Sequence, residues 1–191
     1  MSAPSALPPL LAHLAGVDAD LLARAARVRL ACFDVDGTLT DGRLTVDADG
    51  VESKSFHVHD GQGLVLLRQA GIEVMLITAR RSAAAEHRAG ELGVGVRTGV
   101  ADKLACVRDI AAERGIGLDA VAFMGDDLPD LTAMRAVGLA LAPVDAHAWT
   151  APAAHWRTRA KAGRGAAREA CDLLLGAHGW VPPALVDGGR A

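Results

Sequence analysis

From residue 63 onward the chain repeats one pattern: a stretch with helical spacing, a glycine or proline, then a short apolar run. Residues 63–70 read as a helix stopped by Gly71, and 73–78 as the strand that follows. Ser82 caps a helix that ends at Gly93, and residues 94–97 form a short strand. Leu104, Val107, Ile110 and Ala111 sit at helical spacing within 102–114. A strand over 120–124, a helix opened by Pro129, a strand over 139–142 and a helix over 165–175 complete the series. Upstream, a short amphipathic helix over 18–27 precedes a buried strand over 28–33. Strands that alternate with helices predict an α/β fold, a parallel sheet with helices on both faces.

One segment breaks the alternation. Over residues 43–58, Leu44 and Val46 alternate with polar neighbours, Asp49-Gly50 marks a tight turn, and an apolar-polar run returns through Phe56. This predicts a two-stranded hairpin inserted after the first strand. The expected domain spans 21–179 with the hairpin inside it. Residues 1–20 and 180–191, rich in Pro, Gly and Ala, are expected to be loose.

Ligands of such sheets bind beyond the carboxyl ends of the strands. There the sequence places Asp34-Val35-Asp36-Gly37-Thr38, Thr78-Ala79-Arg80, Asp102-Lys103 and Gly125-Asp126-Asp127-Leu128-Pro129-Asp130. Two aspartates beside Gly-Thr at the end of a buried strand repel one another without a cation. Mg²⁺ takes hard oxygen ligands and keeps waters, so two or three carboxylates suffice. A phosphomonoester dianion repels an anionic nucleophile, and a divalent cation screens that repulsion. Asp34 can meet the metal and attack phosphorus, giving an aspartyl-phosphate. Asp36 can protonate the leaving oxygen and then activate water. Thr78 can donate to a phosphoryl oxygen, and Lys103 can neutralise the charge on nucleophile and phosphoryl group. A lysine in the first turn of a helix opposes the macrodipole, so Lys103 needs an anionic partner or solvent. For Asp102 and Asp127 a helix-capping role explains the residue at least as well.

Composition narrows the function classes. A net charge of −3 over 191 residues gives no nucleic-acid surface and no polybasic membrane surface. Cys32, Cys106 and Cys171 fit no zinc spacing or closed disulfide framework, and as buried thiols they suit a reducing cytoplasm. The apolar start has no basic residue before Arg24, so no signal peptide is expected, and no run reaches membrane-spanning length. His57 and His59 lack a nearby third soft ligand for zinc. The basic run Arg157, Arg159, Lys161, Arg164 and Arg168 is a solvated face or an anion contact.

These residues resemble the four motifs of the haloacid dehalogenase superfamily: Asp34-x-Asp36-Gly-Thr, Thr78, Lys103 and Gly125-Asp126-Asp127-x-x-Asp130. Lys54-x-Phe56-x-Val-x-Asp60-Gly61-x-Gly63, Ile77-Thr78-Ala-Arg80 and Gly163-x-Gly165-Ala-x-Arg168-Glu169 are similar to its 3-deoxy-D-manno-octulosonate 8-phosphate phosphatase family. The resemblance covers residues 21–179. It implies Mg²⁺ held by Asp34, the backbone carbonyl of Asp36 and Asp126, with Asp127 and Asp130 in support. It implies catalysis by Asp34, Asp36, Thr78 and Lys103, and substrate contacts from Thr78, Arg80, Lys103, Lys54, His59, Asp60, Gly61, Arg164 and Arg168. It also implies a Rossmann-like core with a minimal cap made only of the hairpin, and a homotetramer whose hairpins pack together and close neighbouring sites. The implied reaction releases phosphate from an eight-carbon sugar acid, towards the lipopolysaccharide inner core.

Three positions depart from the family's pattern: Ala79 for Gly, Pro129 for Asn, and His59 for the usual Arg. The alternatives are a phosphatase for a nine-carbon sialic-type acid 9-phosphate or for several small sugar phosphates. A phospho-accepting receiver would carry its acceptor on a middle strand, where residues 94–97 end without one. A catalytically quiet relative would lack one of Asp34, Asp36, Lys103 or Asp126, and all four are present.

Overall fold

A computed structural model of the chain describes residues 11–186. Helix α1 (Ala19–Ala25) leads into β1 (Leu30–Phe33), followed by the hairpin strands β2 (Thr45–Val46) and β3 (Glu52–Ser53). Then come α2 (Val58–Gln69), β4 (Glu73–Ile77), α3 (Ala83–Leu92), β5 (Gly95–Arg97), α4 (Lys103–Glu113) and β6 (Val121–Met124). The chain closes with α5 (Leu131–Ala136), β7 (Leu139–Ala142), β8 (Trp156–Arg157), α6 (Ala166–Ala177) and α7 (Pro183–Val186). Six strands pair in parallel in the order β5-β4-β1-β6-β7-β8. Strand order reverses beside β1, between β4 and β6, which is where doubly wound sheets open a crevice.

Successive strand residues point to opposite faces, and that alternation divides the interior into two layers. Ala31, Phe33, Val74, Leu76, Ala122 and Met124 pack with α1, α2, α3 and α6. Leu30, Cys32, Met75, Ile77, Val121 and Phe123 pack with α4 and α5. Phe33 and Phe123, both fully buried, each contribute about 1.5–3 kcal/mol by leaving water. All three cysteines are free thiols. No helix among the described residues is long and apolar enough to cross a membrane.

The structure corrects the expected boundaries in five places. Helix α2 begins at Val58 rather than at Gly63, so His59, Asp60 and Gly61 lie in its first turn. The hairpin is correspondingly shorter than 43–58, with Thr45 opposite Ser53 and Val46 opposite Glu52. Strand β8 lies inside the basic run and closes the sheet beside β7. Residues 11–20, expected to be loose, are packed: Leu11 and Leu14 are buried, and the Trp156 indole N–H donates to the Ala15 carbonyl at 2.8 Å. At the other end Trp180 packs against the core, while residues 1–10 and 187–191 lie outside the described residues. Leu44, Val46, Val51 and Val58 are exposed around the hairpin, whereas Phe56 turns inward beneath the Arg88 guanidinium, 5.9 Å from its ring centre.

Candidate active site

The carboxyl ends of β1, β4 and β6 meet at one cleft of about 340 Å³. Asp34, Asp36, Thr78, Arg80, Lys103, Asp126, Asp127 and Asp130 all line it. Asp34 continues β1, its N–H donating to the Met124 carbonyl of β6 at 2.9 Å, so the sheet itself fixes the backbone of the expected nucleophile. The chain turns sharply at Gly37, where φ is +89°. A Cβ there would stand 2.2 Å from the Asp126 carboxylate, so only glycine lets the two loops close on one another.

Lys103 opens α4 as expected, with Asp102 capping the helix at Ala105 N, 2.9 Å away. Its anionic partners are two. The ammonium donates to Asp34 Oδ1 and Asp130 Oδ1, each at 2.5 Å, and the three side chains are 3, 7 and 1 % exposed. Burial works against the lysine charge, but Asp34 and Asp130 outweigh it and raise its pKa above the ordinary value. Burial, and then repulsion from Asp130, push the Asp34 carboxyl well above the usual carboxylate range despite Lys103. Burial and Asp130 likewise push Asp126 up to about 6, against the hydrogen bond from Thr38.

Asp34, Asp126 and Asp130 bring carboxylate oxygens within 4.8 Å of one another. The cluster fits a small hard cation: its donors are oxygens only, and one ammonium is too little charge for three carboxylates, two of them buried and Asp126 half-buried. Asp130 is already engaged. Besides Lys103 it accepts from Asp126 N at 3.0 Å and Asp127 N at 3.3 Å, which fixes the loop after β6. Asp34 and Asp126 keep oxygens to offer. Asp127 is a cap, accepting from Leu128 N at 2.8 Å at the start of a single 3-10 turn.

On the opposite wall Thr78 Oγ1 donates to Asp36 Oδ2 at 3.2 Å, and Lys54 reaches Asp36 from the hairpin. Glu52, which sequence reasoning missed, joins Lys54 at 2.5 Å and Arg80 at 3.2 Å. It stands two residues before Lys54, and residues at that spacing share one face of a strand, a signal that could have found it. Thr38 was also missed as a site residue. It is buried, and its hydroxyl donates to Asp126 Oδ1 at 3.1 Å.

Other expected substrate contacts are not brought to the cleft of their own chain. His59 stacks edge-on with His57, ring centres 5.1 Å apart. Gly61 packs against Arg88, and the Asp60 carboxylate faces α6. Arg168 pairs with Asp172 at 2.7 Å. Arg164 lines a neighbouring cleft of about 310 Å³ with Asp41, Ser55, Phe56, His57 and Gly163.

No family model matches the chain. A 3-deoxy-D-manno-octulosonate 8-phosphate phosphatase of Yersinia pestis is 43% identical over 157 residues, covering 82% of this chain and 84% of the relative. The crystal structure of a hypothetical protein from Xanthomonas campestris superposes with a TM-score of 0.88 at 56% identity, covering 93% of this chain and 97% of that one. The 3-deoxy-D-manno-octulosonate 8-phosphate phosphatase of Moraxella catarrhalis, solved with magnesium ion, phosphate ion and the sugar acid, superposes with a TM-score of 0.82 at 38% identity, covering 84% of this chain and 92% of that one. Identity of this extent along nearly the whole length, on the same fold, shows that the chain belongs to the 3-deoxy-D-manno-octulosonate 8-phosphate phosphatase family of haloacid dehalogenase-type hydrolases.

Proposed function

We propose that the chain is a Mg²⁺-dependent phosphatase converting 3-deoxy-D-manno-octulosonate 8-phosphate to the free sugar acid and phosphate, in the cytoplasm, as a step of lipopolysaccharide inner-core synthesis. The observation that carries this reading is the Lys103 ammonium set between Asp34 and Asp130, beside Asp126 and opposite Thr78 and Asp36. The Moraxella catarrhalis relative, bound to magnesium, phosphate and the sugar acid, supports the substrate and the metal.

Asp34, Asp126 and the Asp36 backbone carbonyl would hold Mg²⁺. Bound there, Mg²⁺ supplies the positive charge that offsets repulsion between a carboxylate nucleophile and a phosphate dianion. Asp34 forms a bond to phosphorus as the bond to the sugar oxygen breaks, and Asp36 gives that oxygen a proton. Asp36, now a carboxylate, takes a proton from water, which attacks phosphorus and releases Asp34. Lys103 and the Thr78 hydroxyl stabilise charge on the phosphoryl oxygens throughout. Lys54 holds Asp36 in place from the hairpin, and Arg80 stands at the rim to meet the anionic substrate.

The hairpin buries too little to be stable alone. Its exposed Leu44, Val46 and Val51 favour a homotetramer in which hairpins pack together and a neighbour covers each cleft. Arg164, Arg168 and His59 would then meet substrate in an assembled site. Phosphate release should be measured with the octulosonate 8-phosphate, a nine-carbon sialic-type acid 9-phosphate and small sugar phosphates, each with chelator and with Mg²⁺. The octulosonate ester should be the best substrate and chelation should abolish turnover. Equal rates on all substrates would sink the assignment, and turnover with Zn²⁺ but not Mg²⁺ would sink the metal.

A further inference from the structure

Segments 54–63 and 163–169 carry much of the family likeness, yet the proposed reaction uses neither Asp60 nor Glu169. Asp60 is 2 % exposed, and its carboxylate accepts from Arg168 N at 2.8 Å and Gly165 N at 3.2 Å. These N–H groups begin α6, a helix whose own N-cap residue is Gly165 and has no side chain to cap with. From the first turn of α2, Asp60 therefore supplies the cap that α6 lacks. Burial pushes the Asp60 carboxyl up, and the two backbone donors pull it back. Glu169 holds the same loop from its other end, accepting from Arg159 N at 2.7 Å and Ala160 N at 3.2 Å.

Between these two carboxylates the loop is pressed onto the catalytic turn. Gly163 N donates to the Thr38 carbonyl at 3.2 Å. A Cβ on Gly163, where φ is +60°, would stand 2.5 Å from the Thr40 carbonyl carbon. Thr38 in turn donates its hydroxyl to Asp126. We infer that Asp60 is a positioning residue for the metal-binding arm: by capping α6 it seats Gly163 against Thr38, and Thr38 aims the Asp126 carboxylate into the cleft. Asp60 touches no substrate. The inference rests on the metal-dependent phosphatase reading.

The test is Mg²⁺ binding by isothermal titration calorimetry on the full chain, with Mg²⁺ dependence of phosphate release alongside. In Asp60→Asn the amide can accept through one oxygen only, so one cap bond is lost and an N–H faces an N–H. Outer-shell partners of metal ligands typically change affinity by about 10–100-fold, and Asp60 acts one link further out, so Mg²⁺ binding should weaken about three- to tenfold. Gly163→Ala, at the other end of the brace, should do the same. Leu173→Ala, which loosens α6 from the core away from the brace, should lower the melting temperature and leave Mg²⁺ affinity unchanged. Unchanged affinity in folded Asp60→Asn overturns the inference, as does equal weakening in Leu173→Ala. If Asp60→Asn does not fold, Gly163→Ala decides by the same criterion. If neither folds, the brace is only a folding element and the inference is overturned. A wild type that binds no Mg²⁺ would instead bring down the metal-dependent reading itself.

Discussion

Replacing Lys103 with Met keeps most of the apolar stem of the side chain and removes the ammonium, with its charge and its two hydrogen bonds. Asp34 and Asp130, both buried and each 2.5 Å from the ammonium, then lose their shared counter-charge. Breaking a buried pair by removing one partner costs about 3–5 kcal/mol. In a domain of this size each kcal/mol moves the melting temperature by about 2–4 °C, so Lys103→Met should melt about 6–20 °C lower at pH 8 in chelator. The pH dependence identifies the cause. Asp34 already has a folded-state pKa above its ordinary value, and losing Lys103 raises it further. A carboxyl raised in the folded state is destabilising when ionised. The penalty is full above the folded pKa and disappears as pH falls towards the unfolded value near 4. The deficit against wild type should therefore be smaller at pH 5 than at pH 8. Each tenfold loss of Asp34 acidity that the substitution causes accounts for roughly 1.4 kcal/mol of that difference. Mg²⁺ at about a hundred times its dissociation constant should return about 2.7 kcal/mol at pH 8, if the cation takes up the uncompensated charge. Differential scanning calorimetry at pH 5 and pH 8, with and without Mg²⁺, reads all of this. A deficit identical at both pH values and indifferent to Mg²⁺ would show that Lys103 contributes packing and not charge. Turnover should fall by about 10²–10³ or more.

Asp34→Asn should keep the fold and lose turnover, and activity above a few per cent in protein free of deamidation would refute its role as nucleophile. Gly37→Ala places a methyl group 2.2 Å from the Asp126 carboxylate at a φ of +89°, so Mg²⁺ binding by calorimetry should weaken about 10–100-fold. With the Asp126 carboxyl at about 6 in the metal-free site, protons compete with Mg²⁺ below that pH, and affinity should fall about tenfold per pH unit if one proton is released. Val46→Asp puts a charge on the exposed hairpin and should yield monomers by light scattering that lose activity on the sugar acid more than on a small generic phosphoester. An active wild-type monomer would remove the assembly and leave the catalytic assignment intact.

The strands and the cleft were legible because buried parallel strands are unbroken apolar runs and ligands gather at their carboxyl ends. Residues 28–33 and 120–124 needed no tertiary information. The start of α2 did. Asp60 and Gly61 fall before the helix expected from residue 63, but α6 uses the Asp60 carboxylate, and Arg88 presses where a side chain on Gly61 would stand. Lys103 could be read because a cation at a helix N-terminus requires an explanation. Glu52 gave only the weaker signal of its two-residue spacing from Lys54, since a glutamate on a short strand is ordinary until Lys54 and Arg80 close on it. Strand β8 is two residues long and paired along one side only, below what periodicity can detect.

The central position of β1 has a consequence for how the protein matures. Lys103 follows Asp34 by 69 residues, and Asp126 follows Thr38 by 88, so these contacts around the proposed nucleophile are long in sequence. A chain emerging from the ribosome presents its acidic turn well before β6 can flank β1 and bring the third carboxylate. Closing such loops is slow compared with forming local helices. In a refolding experiment helical circular dichroism should therefore recover ahead of phosphate release. Intermediates that lack β6 beside β1 would be catalytically silent, which spares the cell a half-assembled hydrolase acting on its phosphate esters.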